Sequence, residues 1–247
     1  MLYFILPAYN EECNIAPQLN SIRELAVRKN YEYRVIIVND GSKDKTREEA
    51  QRLTKDMPIT LIDHPTNKGV AEAFRTGFAE VRKYLREEDV VVTMDADNTQ
   101  NLKSIELMVS KIQEGYEVVS GSIFASGGML IGAPFVRYIL TCGCNMLYKM
   151  LFYVKGIYEY TGFYRAHSGR ALKVAFEKFS DKLIETSGFA VMAEMLIKFR
   201  QIPLFITEVP MIIRYDLKGG ASKLKIVPTI IQHLTIIGKN MFKRRII

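Results

Sequence analysis

The stretch VVVTMDADN, residues 90–98, decides the fold of this 247-residue chain. Its first five residues form a strand-like run bounded by polar sequence, which is typical of a buried β-strand. Similar runs occur on both sides of it, with helical patterns between them. The predicted strands of the first half are 2–6, 34–38, 59–62, 90–94 and 117–120, and the predicted helices lie near 12–29, 44–55, 68–86 and 101–114. This alternation predicts an α/β fold with a mainly parallel, doubly wound sheet and helices on both sides.

Polar residues follow three of the predicted strands at the point where each strand ends. They are Pro7–Glu12, Asn39–Ser42 and Asp95–Gln100. In doubly wound sheets, ligands bind at the carboxyl ends of the strands. Asp95 and Asp97 can present oxygens to a hard cation and a ribose. Singly, the first two clusters are also typical of a helix start and a turn, but their recurrence at successive strand ends indicates a binding site.

The second half of the chain has a different pattern. Residues 129–153 are largely apolar but contain Arg137 and Lys149, and residues 225–247 are rich in Ile and Leu and end in basic residues. Both segments could lie in a bilayer interface, because they combine apolar residues with Lys and Arg. Alternatively, they are helices of the protein core, and the second simply ends in a basic C-terminus. The sequence has no run of about 18 uncharged apolar residues, so we expect no membrane span. The other predicted elements are helices near 168–178 and 188–200 and strands near 203–207 and 209–214.

Composition limits the possible partners and the compartment. A formal charge of +7 favours nucleotide diphosphates, lipid phosphates and anionic membranes. Nucleic acid is not an expected partner, because no groove-reading motif and no interleaving of basic and aromatic residues occurs. The three cysteines are odd in number and lack metal-ligand spacing, which indicates reduced thiols in the cytoplasm. The chain starts without a basic leader, so we expect a soluble or peripheral protein.

Six motifs, in order, resemble those of family-2 glycosyltransferases. They are PAYNEE, VNDGSKDKT, NKGVAEAFRTG, MDADN, TGFYRAH and EVPMIIRYDLKGGASKL, and they extend from about residue 3 to residue 224. They look most like the branch of dolichol-phosphate mannose synthases and polyprenyl-phosphate glycosyltransferases. The resemblance implies a GT-A domain over residues 1–224 that uses a nucleotide-sugar donor. It also implies that transfer inverts the configuration at the anomeric carbon of the sugar. Residues 225–247 would then form a basic amphipathic helix at the C-terminus.

The resemblance also implies roles for residues that match the motifs. Those expected to line the base and ribose of the donor are Pro7, Tyr9, Glu11, Val38 and Asp40. Asp95 and Ala96 would reach the ribose and diphosphate, and Asp97, with Asp95 beside it, would bind Mg²⁺ or Mn²⁺. Lys223 would contact the diphosphate. A divalent cation and a lysine make chemical sense there, because they neutralise charge that develops on a diphosphate leaving group.

Three positions depart from the family pattern. A position that often supplies a glutamine metal ligand is Thr99, and an expected arginine is Ile123 in the sequence SGSIF. The loop arginine of the family has no clean counterpart, so Arg214 or Lys218 would have to replace it. These departures leave the metal site only partly supported, and they leave the identities of the donor and acceptor open.

Three arginines are candidates for binding an acceptor phosphate, namely Arg137, Arg165 and Arg214. A planar guanidinium group suits phosphate oxygens, although each residue could instead be a solvated surface arginine. An anionic lipid phosphate needs no strong general base. A saccharide hydroxyl does need one, and Glu194 is the candidate. The alternative for Glu194 is a helix-face ion pair with Lys198.

Three functional hypotheses follow from the sequence. The first is a metal-dependent inverting transferase that acts on a lipid-linked phosphate, such as polyprenyl or dolichyl phosphate, at the cytoplasmic face of a membrane. The second is a transferase that acts on a saccharide hydroxyl, and the third is a non-catalytic module that binds nucleotide sugars. The nucleotide base, the sugar and the oligomeric state are left open.

Overall fold

The computed structural model describes residues 1–217, 219 and 226–241, and its elements follow the predicted alternation. The strands are β1 (Leu2–Ala8), β2 (Tyr33–Asn39), β3 (Ile59–Asp63), β4 (Val90–Thr93), β5 (Val118–Ser122), β6 (Met129–Ile131), β7 (Arg165–Ser168), β8 (Ile206–Pro210) and β9 (Ile212–Arg214). The helices are α1 (Ile15–Lys29), α2 (Thr46–Leu53), α3 (Val70–Arg82), α4 (Lys103–Gln113), α5 (Phe135–Leu151), α6 (Gly169–Phe179), α7 (Val191–Phe199) and α8 (Ile226–Asn240). Short 3₁₀ turns lie at Ser180–Leu183 and Tyr215–Leu217.

The main sheet has the strand order β3–β2–β1–β4–β7–β5–β8. Its neighbours pair in parallel, except that β7 runs antiparallel to both β4 and β5. The chain adds β2 and β3 on one side of β1 and then places β4 on the other side. The topological switch point, where ligands bind in such sheets, therefore lies between β1 and β4. This architecture confirms the predicted fold class.

The ladder between β1 and β4 ends early at the switch point. Their pairing stops at Ile5 and Thr93, followed by one bond from the Met94 N–H to the Ile5 carbonyl at 3.3 Å. The next bond of a parallel ladder would be donated by residue 7, and Pro7 has no N–H. β1 stays paired with β2 as far as Ala8. The loop after β4 is therefore free to leave the sheet.

Apolar layers cover both faces of the sheet. Phe4 and Leu6 of β1 pack on the side of α1, α2 and α4, whereas Ile5 packs on the side of α3, α6 and α7. This split follows from the alternation of side chains along a strand. A third cluster joins α5, α7 and α8 around Tyr148 and Ile237. Helices thus lie on both sides of the sheet, as predicted.

Two strands were absent from the sequence prediction. β7, with the sequence RAHS, is buried along its whole length although Arg165, His167 and Ser168 are polar. β6 pairs with β9 in a separate two-stranded parallel sheet. The antiparallel direction of β7 brings its first residue to the edge where β5 ends, since Ser120 pairs with Arg165. The segment between β5 and β7 therefore leaves and re-enters the sheet at the edge that carries the polar clusters.

Candidate active site

An open cleft of about 540 Å³ lies where β1, β2 and β3 end. Residues from the loops after all three strands line it, among them Tyr9, Gly41, Ser42, Arg47, Asp63 and Asn67. Gly41 has a φ of +67°, and a Cβ atom there would lie 2.4 Å from the backbone of Thr66, so glycine lets the two loops meet closely. Tyr9, predicted to bind the donor, lines this cleft.

Asp40 organises the floor of the cleft. Its Oδ1 accepts hydrogen bonds from the Lys68 N–H at 2.9 Å and pairs with His64 Nδ1 at 2.7 Å, and its Oδ2 accepts one from the Gly69 N–H at 2.8 Å. The other ring nitrogen of His64 lies 2.9 Å from the Thr76 hydroxyl. Asp40 therefore fixes the loop at 64–69, and a donor contact to this carboxylate would come in addition to these bonds.

Pro7 and Val38 face each other in the register of β1 and β2. The side chain of Val38 is fully buried and belongs to the apolar layer under α3. It therefore supports the floor of the cleft through packing. Ala96 is also buried, between the two aspartates of the loop after β4.

Glu11 lies in the loop after β1 and is tied to two other segments. Its N–H donates to the Thr46 hydroxyl at 2.6 Å, and its Oε2 accepts from the Asn14 amide at 2.6 Å. The same Asn14 side chain donates to the Gly219 carbonyl and accepts from its N–H, at 2.9 and 3.0 Å. The chain thus returns to Glu11 just before Lys223. Lys223 itself, like Lys218, lies outside the described residues.

The two carboxylates after β4 are held by the residues that follow them. Thr99 donates to Asp97 Oδ1 from its hydroxyl at 2.6 Å and from its N–H at 3.2 Å. Gln100 donates to Asp95 Oδ2 at 2.7 Å and accepts from the Asp95 N–H at 3.1 Å. Asn98 takes the left-handed conformation, with φ of 58°, which turns the loop back on itself. Thr99 and Gln100 therefore orient one aspartate each.

The donor set of this loop suits a hard cation that also binds phosphate. Within residues 1–217, 219 and 226–241, no group of three or more His, Cys, Asp or Glu side chains is arranged as a metal cage. Mg²⁺ is usually held by one or two carboxylates together with substrate phosphates, so the pair Asp95 and Asp97 fits such an ion. Ile123, at the position of the family arginine, packs against the apolar core.

Tyr215 joins one acceptor candidate to the carboxylates. The Arg137 guanidinium lies over the Tyr215 ring, 4.4 Å from its centroid. Burial raises the pKa of Tyr215 to about 12, with Asp95 and Asp97 adding to the rise and Arg137 opposing it. Charges act on a hydroxyl over several ångströms, so Arg137, which lies against the Tyr215 ring, is in the same part of the molecule as both aspartates. The structure therefore brings Arg137 to the site.

Arg214 contacts the loop after β4 through its backbone and not through its side chain. Its N–H donates to the Thr99 carbonyl at 2.8 Å, which holds β9 against the loop after β4. Its guanidinium instead forms an ion pair with Asp216 at 2.7 Å, and both side chains are exposed. Arg214 remains an acceptor candidate, but a weaker one than Arg137.

The prediction that Arg165 binds an acceptor disagrees with the structure. Its side chain is fully buried. The guanidinium donates to the Ser120 hydroxyl at 2.8 Å and the Met192 carbonyl at 2.9 Å, with longer bonds to the carbonyls of Glu159 and Tyr160. Burial lowers the pKa of Arg165 to about 10, so it stays charged at neutral pH. Its role is to hold the segment before β7 on the sheet.

A general base at Glu194 does not fit the geometry either. The residue is buried on α7, where Oε1 accepts from Lys198 Nζ at 2.9 Å. Oε2 accepts from the N–H groups of Glu185 and Thr186 at 3.0 and 2.9 Å. The ion pair with Lys198, the alternative reading of the sequence, is therefore present. Both oxygens position the segment that precedes α7.

Helices α5 and α8 form an apolar helix pair next to Arg137. They pack together through Tyr148 and His233, whose hydroxyl and Nδ1 lie 2.8 Å apart. The outer side of α5 exposes large apolar side chains, namely Phe135, Val136, Ile139, Met146 and Met150, and that of α8 exposes Val227, Ile230, Ile231 and Leu234. Within the part of the chain that the structure describes, no helix has the length and apolarity to cross a bilayer. The basic residues Lys243, Arg244 and Arg245 lie outside the described residues.

Sequence reasoning missed several residues of this site. Asn14, Gln100 and Tyr215 hold or border the predicted residues without having been assigned a role. The position of Tyr215 directly after Arg214, inside a recognised motif, was the available signal. Gln100 offered a second signal, because it is a glutamine one position after the one at which the family often has it.

Comparisons with known proteins identify the family of this chain. The family described as "Glycosyl transferase family 2" matches residues 3–168. A dolichol-phosphate mannosyltransferase of Pyrococcus furiosus is 29% identical over 223 residues, which cover 90% of this chain and 58% of that protein. A dolichyl-phosphate β-glucosyltransferase of Trichomonas vaginalis is 33% identical over 118 residues, which cover 45% of this chain and 35% of that protein. The chain thus spans little more than half of the first relative and matches about a third of the second.

Solved structures share the fold. One is the glucosyl-3-phosphoglycerate synthase from Mycobacterium tuberculosis, crystallised with Mn²⁺, uridine diphosphate and phosphoglyceric acid. It matches with a TM-score of 0.66 and 19% identity, over 96% of this chain and 76% of that one. At this level of identity the likeness concerns the fold, and it confirms the predicted GT-A architecture. The family match confirms the resemblance found in the sequence and the predicted class of enzyme.

Proposed function

The chain belongs to glycosyl transferase family 2, and on that premise we propose that it transfers a sugar from a nucleotide-sugar donor to a lipid-linked phosphate such as polyprenyl or dolichyl phosphate. The reaction depends on Mg²⁺ or Mn²⁺ and inverts the configuration of the sugar. The protein works as a peripheral enzyme at the cytoplasmic face of a membrane. Two relatives whose names include a dolichol phosphate acceptor support this choice.

One observation carries the choice of acceptor. Arg137 belongs to α5, which exposes Phe135, Val136 and Ile139 on the same turns. Its guanidinium lies over Tyr215, whose hydroxyl is near enough to the two aspartates for their charges to raise its pKa. A lipid phosphate requires this combination, because its chain needs an apolar surface and its head needs a cation at the reaction centre. A soluble saccharide would have no use for the exposed apolar residues.

On the donor side, the cleft at the ends of β1, β2 and β3 has room for a nucleoside. Tyr9 and residues of the loop at 64–69 border it, and Glu11 follows Tyr9 in the loop after β1. The diphosphate would extend from there toward Asp95 and Asp97, because the switch point joins the two loops. The uridine diphosphate complex of the structural relative is consistent with this donor class.

Asp97 and Asp95 would hold the divalent cation, which supplies Lewis-acid charge to the diphosphate when bound. Thr99 and Gln100 keep the two carboxylates oriented before any ligand arrives. Such pre-organisation lowers the cost of binding, since the side chains need not be ordered at that moment. The same loop is closed on its outer side by the Arg214 backbone.

The acceptor phosphate needs orientation more than activation. Its oxygen forms a new bond to the anomeric carbon as the bond from that carbon to the diphosphate breaks, and no proton has to be removed. Arg137 would position the phosphate, and the exclusion of water by Tyr215 would favour the phosphate over hydrolysis. A hydroxyl acceptor would need a base, and Glu194 is already engaged by Lys198 and two backbone N–H groups.

Transfer assays with the full chain test the proposal. Polyprenyl phosphate in detergent is offered with a panel of UDP- and GDP-sugars, with Mn²⁺, with Mg²⁺ or with EDTA. We expect product with one donor class, loss of activity in EDTA and recovery with added Mn²⁺. Asp97→Asn should lower kcat/KM by about 100- to 1,000-fold, because the divalent cation that would stabilise the leaving diphosphate loses a carboxylate ligand.

Asp56→Asn is the matched control. Asp56 is exposed and precedes β3, at the edge of the sheet opposite the cleft. The activity of the Asp56→Asn variant should stay within twofold of that of the native chain. Activity that persists both in EDTA and in Asp97→Asn would reject the metal-dependent mechanism. Faster transfer to a free saccharide than to polyprenyl phosphate would reject the acceptor.

A further inference from the structure

The segment 184–189, which precedes α7, is held firmly from two sides. Arg75 of α3 donates to the Ile184 carbonyl at 3.0 Å and to the Thr186 carbonyl at 2.6 Å. Glu194 accepts from the N–H groups of Glu185 and Thr186. These bonds fix the first half of the segment to the body of the domain.

The middle of this segment touches the loop at 64–69, part of which lines the donor cleft. A Cβ atom on Gly69 would lie 2.9 Å from the Ser187 carbonyl oxygen, so the two backbones are in close contact. The Gly69 N–H donates to Asp40 Oδ2 at 2.8 Å. A shift of Ser187 would therefore be felt at the Asp40 carboxylate, which holds the loop at 64–69.

The end of the segment is attached to α8 through Gln232. The Oε1 atom of Gln232 accepts a hydrogen bond from the Phe189 N–H at 3.0 Å. Its amide also fills the space beside Gly188, where a Cβ atom would lie 2.0 Å from Oε1. The Phe189 ring stacks on Phe163, with the ring centroids 6.0 Å apart. Gln232 is thus a polar link between α8 and this segment.

The two sides of α8 have different surroundings. The side that carries Gln232 and His233 faces the protein, whereas Val227, Ile231 and Leu234 are exposed on the other. If the exposed side enters a lipid surface, α8 is held in place from both sides. Ordering of α8 then favours the position of segment 184–189 that supports the Asp40 loop.

We propose that Gln232 is a positioning residue that couples the donor cleft to a lipid surface, so that membrane binding by α8 raises the affinity for the nucleotide. This inference rests on the proposed function, because it needs both a nucleotide cleft and a membrane-facing α8. Coupling between two binding events is reciprocal, so the nucleotide also raises the affinity for the membrane by the same factor.

The experiment measures binding by the full chain at equilibrium. The dissociation constants of UDP and GDP, each with Mn²⁺, are determined by calorimetry without and with vesicles of phosphatidylcholine and phosphatidylglycerol. We expect the vesicles to lower the dissociation constant of the preferred nucleotide by about fivefold, at the lower end of typical coupling. Vesicle flotation without and with that nucleotide should show the same factor.

Two variants of matched size separate the hydrogen bond from packing. Gln232→Met keeps the volume but has no acceptor for the Phe189 N–H, and it should abolish the vesicle effect. Gln232→Glu keeps an acceptor oxygen and should retain the effect. Thermal unfolding of each variant confirms that the chain is folded, and flotation confirms that α8 still binds vesicles.

Gly188→Ala provides an independent test of the same link. The added methyl group occupies the place of the Gln232 amide, which must swing away, so this variant should also lose the vesicle effect. In the Gln232→Met background, Gly188→Ala should change the coupling no further, because the contact is already broken.

Several results would overturn the inference. Retention of the vesicle effect in Gln232→Met would do so, as would a native chain that binds vesicles and nucleotide independently; either result leaves the proposed function standing. A chain that binds nucleotide but no vesicles overturns the inference together with the membrane part of the proposed function. A chain that binds neither UDP nor GDP lacks the proposed donor site, and this result overturns the inference and the proposed function together.

Discussion

The donor edge, made of the loops after β1, β2 and β4, differs sharply from the apolar helix pair α5 and α8. At the donor edge, buried carboxylates such as Asp40 and Asp97 are held by protein donors at 2.6–3.2 Å. On the helix pair, large apolar side chains such as Phe135 and Ile231 are exposed. The first surface is organised before its ligand arrives. The second surface is complete only when something apolar covers it.

The strongest test of this contrast is membrane binding. We expect Phe135→Ser combined with Ile139→Ser to lower the partition into anionic vesicles about 100-fold, since each apolar side chain contributes about 1.5–3 kcal/mol when it is buried. Flotation with phosphatidylglycerol-containing vesicles measures the change.

The control for the helix pair is a double change of equal exposure elsewhere. Phe135 and Ile139 are 74% and 51% exposed, and Val27 on α1 and Leu107 on α4 are 74% and 46% exposed. Val27→Ser with Leu107→Ser should therefore leave flotation unchanged. If both double variants lose binding equally, the apolar helix pair has no special role.

The second prediction concerns the point where the two regions meet. Arg137→Ala should raise the KM for polyprenyl phosphate about 30-fold with a smaller change in the KM for the donor, because a charge-assisted bond to phosphate contributes about 1.5–3 kcal/mol. Steady-state kinetics with each substrate varied separately measures the two constants.

Arg214→Ala is the companion variant, since the Arg214 guanidinium is exposed and paired with Asp216. We expect less than a threefold change in either constant. An Arg214→Ala effect that equals or exceeds that of Arg137→Ala would assign the acceptor phosphate to Arg214 instead.

A third prediction sharpens the picture of a pre-organised donor edge. Thr99→Val removes the hydroxyl that donates to Asp97 at 2.6 Å. We expect about tenfold weaker binding of Mn²⁺ in the presence of nucleoside diphosphate, because a hydrogen bond to a charged group is lost. Electron paramagnetic resonance of free Mn²⁺ measures this without turnover. Thr99→Ser should restore the native affinity, and a Val variant that binds Mn²⁺ normally would show that Thr99 does not orient the aspartate.

The smallest expected effect is a dependence of folding stability on pH that arises from His233, in the helix pair. Burial lowers the pKa of His233 to about 4. The unfolded chain, with an ordinary histidine pKa near 6.5, therefore binds more protons between these values, and stability falls as the pH drops from about 6.5 toward 4. His167 is buried with a pKa well below its usual value and contributes in the same direction.

His233→Gln removes one of these two contributions and keeps a hydrogen-bonding group for Tyr148. We expect its melting temperature to fall by about 5 °C less than that of the native chain between pH 7 and pH 5. Differential scanning calorimetry at the two pH values gives this difference. Equal slopes for both proteins would mean that His233 is not buried in solution.

The sequence was sufficient for the donor edge, for a physical reason. Parallel strands give apolar runs, and their carboxyl ends lie at one edge, so Asp40 and Asp97 could be assigned to the same edge of the sheet without coordinates. The hydrogen-bond partners of these aspartates could not be predicted from the sequence. Whether Thr99 donates to Asp97 depends on the left-handed turn at Asn98, and an asparagine in the sequence does not by itself predict that conformation.

Buried polar residues account for the errors elsewhere. β7 has only the four residues RAHS, and a polar sequence of that length gives no strand signal. Arg165 was predicted to bind an acceptor phosphate, with a solvated surface arginine as the alternative, and both would leave its guanidinium accessible. Here a hydroxyl and backbone carbonyls from three segments surround it, and such contacts are set by tertiary structure. Glu194 could be read either way, since spacing alone does not exclude a base.

The reversed direction of β7 has a consequence for how enzymes of this shape diversify. Because β5 ends and β7 begins at the same edge, residues 123–164 form an excursion whose two ends meet the sheet side by side. That excursion carries α5 and Arg137, while the loops after β1, β2 and β4 lie outside it. One donor-binding half can therefore be combined with exchanged excursions of other lengths and polarities. A graft at Ser122 and Arg165 would be the natural place to retarget such a transferase to a new acceptor.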